Sequence, residues 1–166
     1  MASGEREAAP DFRLASVDGG ELGSEDFEGR VILLDFWATW CGPCHVQAEI
    51  LEPLYEEFRH QGLEIFSIDL GEEEAKVQAF LEKNPVPYPV LMDFDGEVSD
   101  RYGVFALPTV LIIDRQGQIA FTRGGITGAD TLRSVIEAEL AVDSTRPPTT
   151  TADLPSSSSS PSPSPS

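Results

Sequence analysis

The chain reads Val31-Ile32-Leu33-Leu34-Asp35-Phe36-Trp37-Ala38-Thr39-Trp40-Cys41-Gly42-Pro43-Cys44 over residues 31–44, and this stretch decides the fold. Val31 to Phe36 is an almost uninterrupted apolar run, as a central strand buried on both faces requires. After Cys44, the residues Val46, Ile50, Leu51, Leu54, Tyr55 and Phe58 recur at the period of one helical face. The two cysteines therefore fall where a strand hands over to a helix. There the unpaired N–H groups of the first turn and the helix dipole favour a thiolate. Pro43 suits a first helical turn, where its missing N–H goes unused, and Gly42 gives the bend room.

Cys41 and Cys44 are the only cysteines in the chain. Two residues between them allow a small ring to close, so that a Cys41 thiolate attacks a substrate disulfide and Cys44 resolves the mixed disulfide. Three other readings compete. A structural disulfide across so short a loop removes little unfolded-state entropy. A zinc site needs about four ligands, the cysteines, His45 and His60 are all that is available, and His45 faces away, so no metal is expected. Cys41-Gly42-Pro43-Cys44-His45 also matches the C-x-x-C-H pattern of c-type haem attachment, with His60, Met92 and Met1 as the few candidate second ligands. Haem attachment explains neither the strand before the motif nor the Gly-Pro inside it.

Phe36 to Cys44 resembles the active site of the thioredoxin superfamily. Tyr102-Gly103-Val104, Leu107-Pro108-Thr109 and Asp114 to Ile119 are similar to its TlpA/ResA-like branch, and the resemblance runs from about Pro10 to Val142. It implies an α/β thioredoxin fold: a mixed central β-sheet flanked by helices, with an N-terminal β-hairpin and an inserted helix. It implies a protein-disulfide reductase with no cofactor, acting on protein disulfides and reloaded by an upstream thiol reductant. Catalysis falls to Cys41, Cys44 and Asp35, the last being the aspartate six residues before the first cysteine, which relays the proton of the resolving thiol. A carboxylate in a buried strand needs such a reason, because its burial is costly. The TlpA/ResA branch more often carries asparagine there, so this detail leans towards thioredoxin. Substrate binding falls to Trp40, Gly42, Pro43, Leu107 and Pro108. Pro108 takes the place of the cis-proline that faces the dithiol and leaves the backbone of Leu107 free to pair with an extended segment. Trp37 and Trp40 are expected at the rim, with Trp40 against the disulfide. Gln47 stands where ResA-like proteins often have glutamate, leaving Asp35 to accept the proton alone. His45 stands where Lys or Arg is common and reads as an exposed helix residue. A peroxiredoxin-like peroxidase is the enzyme alternative, but Leu34 and Ala38 occupy the Pro and Thr positions of its P-x-x-x-T-x-x-C site.

The rest of the chain fits one domain with a real core, at 166 residues of which 40% are hydrophobic. A formal charge of −18 argues against nucleic acid and against anionic membrane surfaces. The acids of Glu25-Asp26, Glu56-Glu57, Glu72-Glu73-Glu74 and Asp93 to Glu97 read as solvated surface. Phe12, Leu14 and Ser16, the Asp18-Gly19-Gly20-Glu21 turn and Leu22 predict the hairpin. Leu63 to Leu70 alternates into a second strand parallel to the first, and Glu72 to Lys83 is the inserted helix. Asn84 to Pro89 must run extended into the strand Val90 to Met92; Glu97 to Tyr102 is a short helix. Strands at Val110 to Ile113 and Ile119 to Thr122 and a helix through Leu132, Val135, Ile136 and Leu140 complete the domain. Residues 1–10 are expected to be a flexible N-terminus, residues 11–142 the domain, and residues 143–166, rich in Ser, Thr and Pro, a disordered tail. A monomer is expected. Met1 to Ala9 has no apolar h-region, so the chain as written reads as cytoplasmic with no membrane segment, or as extracytoplasmic if a leader was removed.

Overall fold

The computed structural model of the chain describes residues 6–142. The expected disordered tail at residues 143–166 and the first five residues of the expected flexible N-terminus lie outside the described residues. In chain order the elements are β1 (Arg13–Ser16), β2 (Glu21–Gly23), β3 (Val31–Trp37), α1 (Gly42–Phe58), β4 (Leu63–Leu70), α2 (Glu74–Lys83), β5 (Val90–Asp93), α3 (Glu97–Arg101), β6 (Thr109–Ile113), β7 (Ile119–Gly124) and α4 (Ala129–Leu140). They form one seven-stranded sheet in the order β2-β1-β5-β4-β3-β6-β7. β3, β4 and β5 are parallel, joined through α1 and α2; β6 runs antiparallel to β3, β7 to β6, and β1 to β5. This is the α/β thioredoxin fold expected, with its hairpin pairing Leu14 to Leu22 and its inserted helix α2.

β3 is buried at every one of its seven positions, so its side chains serve both faces of the sheet. Successive strand residues point to opposite faces. Val31 and Leu33 accordingly pack with Leu51, Leu54 and Phe58 of α1 and with Leu132 and Ile136 of α4. Ile32, Leu34 and Phe36 pack on the other side with Phe12, Phe66, Val98 and Tyr102. By the same parity Asp35 and Trp37 fall on the α1 side, which brings a carboxyl group beneath the helix that carries Cys44. A third, smaller cluster joins Trp37, Ala38, Cys41 and Cys44 to Val77 and Met92.

Two local details depart from the sequence reading. On α1 the buried line is Cys44, Gln47, Leu51, Leu54, Tyr55 and Phe58, while Val46 is exposed. Gln47 precedes Leu51 by one helical turn and takes the core position because its amide finds backbone partners there. α2 begins at Glu74 instead of Glu72, and Glu72 is buried off the helix by hydrogen bonds described below. Described residues of the N-terminal segment contact the body. The Ala9 N–H donates to the Gly117 carbonyl (2.9 Å), the Ile119 N–H to that of Glu7 (2.8 Å), and Arg6 pairs with Asp114 and Glu139. No helix among the described residues is long and apolar enough to cross a membrane.

Candidate active site

Cys41 and Cys44 form a disulfide. Cys41 is the N-cap of α1, in extended backbone, and its Sγ accepts a hydrogen bond from the Cys44 N–H at 3.2 Å. A sulfur in that position faces the unpaired donors and the positive end of the helix dipole, the surroundings that lower a thiol pKa. Both cysteines are nearly buried, yet Trp40, Gly42 and Pro43 around them are exposed, so the pair lies just beneath an open rim. The sequence reading put Trp37 on that rim. It lies below it instead, 6% exposed and packed on Phe80, because a strand residue of its parity points into the α1 and α2 layer; Trp40 is 67% exposed.

The Leu107–Pro108 peptide is cis. Leu107 packs in the cluster that contains both cysteines, and Pro108 is buried with its carbonyl held by the Gly125 N–H at 2.7 Å. Among the described residues nothing hydrogen-bonds the backbone of Leu107, leaving it open to an extended chain. Phe105, two residues earlier, is 96% exposed.

Asp35 and Cys44 line one cavity of about 390 Å³, together with Trp37, Phe80 and Tyr88. Asp35 is 2% exposed, its Oδ1 lacks a hydrogen-bond partner, and burial pushes its carboxyl from 3.8 up to about 7. A group poised there takes up and gives back a proton near neutrality.

Two side chains brace the site, one at the cysteine loop and one between α1 and the loop after β7. Glu72 accepts from the Thr39 N–H at 2.9 Å and from its hydroxyl at 2.7 Å, and pairs with Lys76 at 3.2 Å. Burial pushes Glu72 up, but its interactions with Asp69, Thr39 and Lys76 outweigh that and hold it down to about 2. Asp69, fully buried in β4, is pushed up to about 9, by burial first and then by Glu72. On the other side the Gln47 amide donates to the Thr127 carbonyl at 3.0 Å and accepts from the Thr127 N–H at 2.8 Å. This amide pair fixes the loop after β7, next to Gly125 and thus to Pro108. The sequence reading assigned Glu72 to the solvated acids and gave Gln47 no partner. Only the glutamine's place on the core line of α1 signals its role.

A thioredoxin fold that presents a C-x-x-C pair at the first turn of its first long helix, beside a cis X-Pro peptide, defines the protein as one of the dithiol thioredoxin-fold class. The chain matches the family described as AhpC/TSA over residues 6–122, and it belongs to that family. It is 36% identical over 111 residues to the thiol-disulfide oxidoreductase ResA of Geobacillus thermodenitrificans, covering 67% of this chain and 64% of that protein. To ResA of Halalkalibacterium halodurans it is 34% identical over 122 residues, covering 73% of this chain and 69% of the relative. Among solved structures, a putative thiol:disulfide interchange protein DsbE from Chlorobium tepidum superposes with a TM-score of 0.77 at 31% identity, covering 82% of this chain and 97% of that one. The matched region spans about two thirds of the ResA relatives, 64% of the first.

Proposed function

We propose that the chain is a thiol–disulfide oxidoreductase that, as a monomer, reduces disulfides of protein substrates. The observation that carries this reading is the Cys41–Cys44 disulfide seated on the first turn of α1, with the Cys44 N–H on the Cys41 sulfur. In the reduced protein the Cys41 thiolate attacks one sulfur of a substrate disulfide, forming a mixed disulfide and releasing the other sulfur as a thiolate. Asp35 takes the Cys44 proton. The Cys44 thiolate then attacks the Cys41 sulfur, the second substrate thiolate leaves, and the protein disulfide closes. Two electrons have passed to the substrate, and an upstream dithiol returns them. The cis Leu107–Pro108 segment, with an unoccupied backbone at Leu107, supports a substrate strand laid beside the dithiol. The haem and peroxidase alternatives gain no support: the His45 ring stacks on Phe80 with Nε2 3.0 Å from the Thr39 carbonyl, and buried Ala38 offers no hydroxyl.

The test is trapping combined with potentiometry. Cys44→Ser should accumulate a mixed disulfide between Cys41 and a disulfide-bonded test protein, and Cys41→Ser should not. Titration of the wild type in thiol/disulfide buffers should give a two-electron couple near about −270 mV for a reductant, against roughly −120 mV for an oxidant. Absence of both a trapped adduct and a reversible couple would refute the activity.

A further inference from the structure

α1 carries Glu49, Glu52 and Glu56 at spacings that place them on one face. They form one wall of an open groove of about 680 Å³ whose other wall is Pro85-Val86-Pro87. Glu49, Glu52, Pro85 and Val86 also line the cavity beneath Cys44, so the groove runs into it. Glu49 and Glu52 have no cationic partner among the described residues, and Glu56 has only Arg59, at 3.7 Å. At the inner end, three polar atoms are buried without a hydrogen-bond partner: Asp35 Oδ1, Trp37 Nε1 and the Tyr88 hydroxyl, on side chains 2%, 6% and 4% exposed. Other buried polar atoms without a partner lie elsewhere, on Asp69, Arg115 and Thr127; these three are set apart by lining one cavity, where the Asp35 and Tyr88 oxygens can accept from a cationic head. The wall opposite the glutamates is apolar, and neither proline offers an N–H.

The chemistry that fits is a long cationic side chain. The stem of Lys or Arg packs against Val86 and Phe80 while its head lies between Glu49 and Glu52, in reach of the Tyr88 oxygen as acceptor. We propose that this groove holds an extended segment of the substrate bearing Lys or Arg next to its disulfide, and that the enzyme therefore prefers disulfides with basic flanks. This rests on the exchange activity proposed above and adds the class of substrate.

The experiment uses the reduced full chain and two synthetic disulfide peptides, identical except for Lys-Lys or Gln-Gln beside the cysteine, with reduction followed by Trp fluorescence at low ionic strength. The wild type should reduce the Lys peptide roughly five to ten times faster than the Gln peptide, as expected for two partly exposed charge pairs. In Glu49→Gln/Glu52→Gln the ratio should fall to about twofold or less. Glu28→Gln/Glu137→Gln removes the same charge from exposed positions elsewhere and should keep the wild-type ratio, which separates the groove from the attraction of the whole acidic surface. Equal wild-type rates for the two peptides, or a ratio lost equally in both double variants, would overturn the groove while leaving the exchange activity standing. Reduction of neither peptide would overturn the activity and the groove with it.

Discussion

Replacing Asp35 by Asn should stabilise the oxidised protein in a manner that depends on pH. In the unfolded chain this carboxyl titrates near 3.8, and in the fold burial holds it up to about 7. Below the unfolded value both states are protonated and ionisation of Asp35 adds nothing. Between about pH 4 and 7 the unfolded chain gives up the proton while the folded chain keeps it, so stability falls as pH rises. Above 7 the full penalty of a buried carboxylate is present. The rise from 3.8 to about 7 corresponds to ~4 kcal/mol. Asparagine cannot ionise, so the advantage of Asp35→Asn should grow by roughly 3–4 kcal/mol between pH 4.5 and pH 8. The assay is urea unfolding of both oxidised proteins across that range. Glu49, Glu52, His45 and Tyr88 face the same cavity, and Asp69 titrates on its own account; all are common to both proteins and largely cancel in the difference. An advantage that stays constant within about 1 kcal/mol across the range would refute the placement of Asp35 as a desolvated, titrating group.

Gln47→Glu replaces the amide donor facing the Thr127 carbonyl with an oxygen, and should cost roughly 2–4 kcal/mol above neutrality for a lost hydrogen bond and an unpaired buried carbonyl. Protonated, the new carboxyl regains a donor, so that loss should shrink in acid; denaturant midpoints at pH 4.5 and pH 8 read the difference. Glu72→Gln exchanges a charged acceptor for a neutral one at the Thr39 N–H and removes the anion beside Asp69. Exchange of the Thr39 amide with solvent deuterium should quicken about five- to tenfold, and the Asp69 carbon-13 titration should move down from about 9.

The fold was legible because its signals are local. The apolar run of β3, the cysteine pair at a strand-to-helix handover and the helical period of α1 each lie within a short window, and Asp35 stood out as the one charge in a strand with no room for it. What the sequence did not disclose depends on pairing at a distance. Glu72 reaches back 33 residues to Thr39, and Gln47 meets Thr127 80 residues away. Neither partner has a pattern of its own: Glu72 meets the N–H and hydroxyl of one threonine, and Gln47 the backbone of another. Val46 and Gln47 are adjacent on the helix, and hydrophobicity alone favours valine for the core. The bidentate amide contact reverses that choice. Trp37 and Trp40 look interchangeable in the sequence; the parity of β3 sends Trp37 inward, while Trp40, past the strand's end, stays in solvent.

The carboxyls buried in β3 and β4 also change what the chain's acidity means. The formal charge of −18 counts every Asp and Glu as ionised at pH 7. In the fold Asp69, held up to about 9, keeps its proton there, and Asp35, at about 7, keeps its own about half of the time. The folded molecule should thus migrate in an electric field as a body one to two charges less negative than its sequence, which capillary electrophoresis at pH 7 checks. It carries between one and two titratable protons that its unfolded chain would surrender to the surrounding buffer.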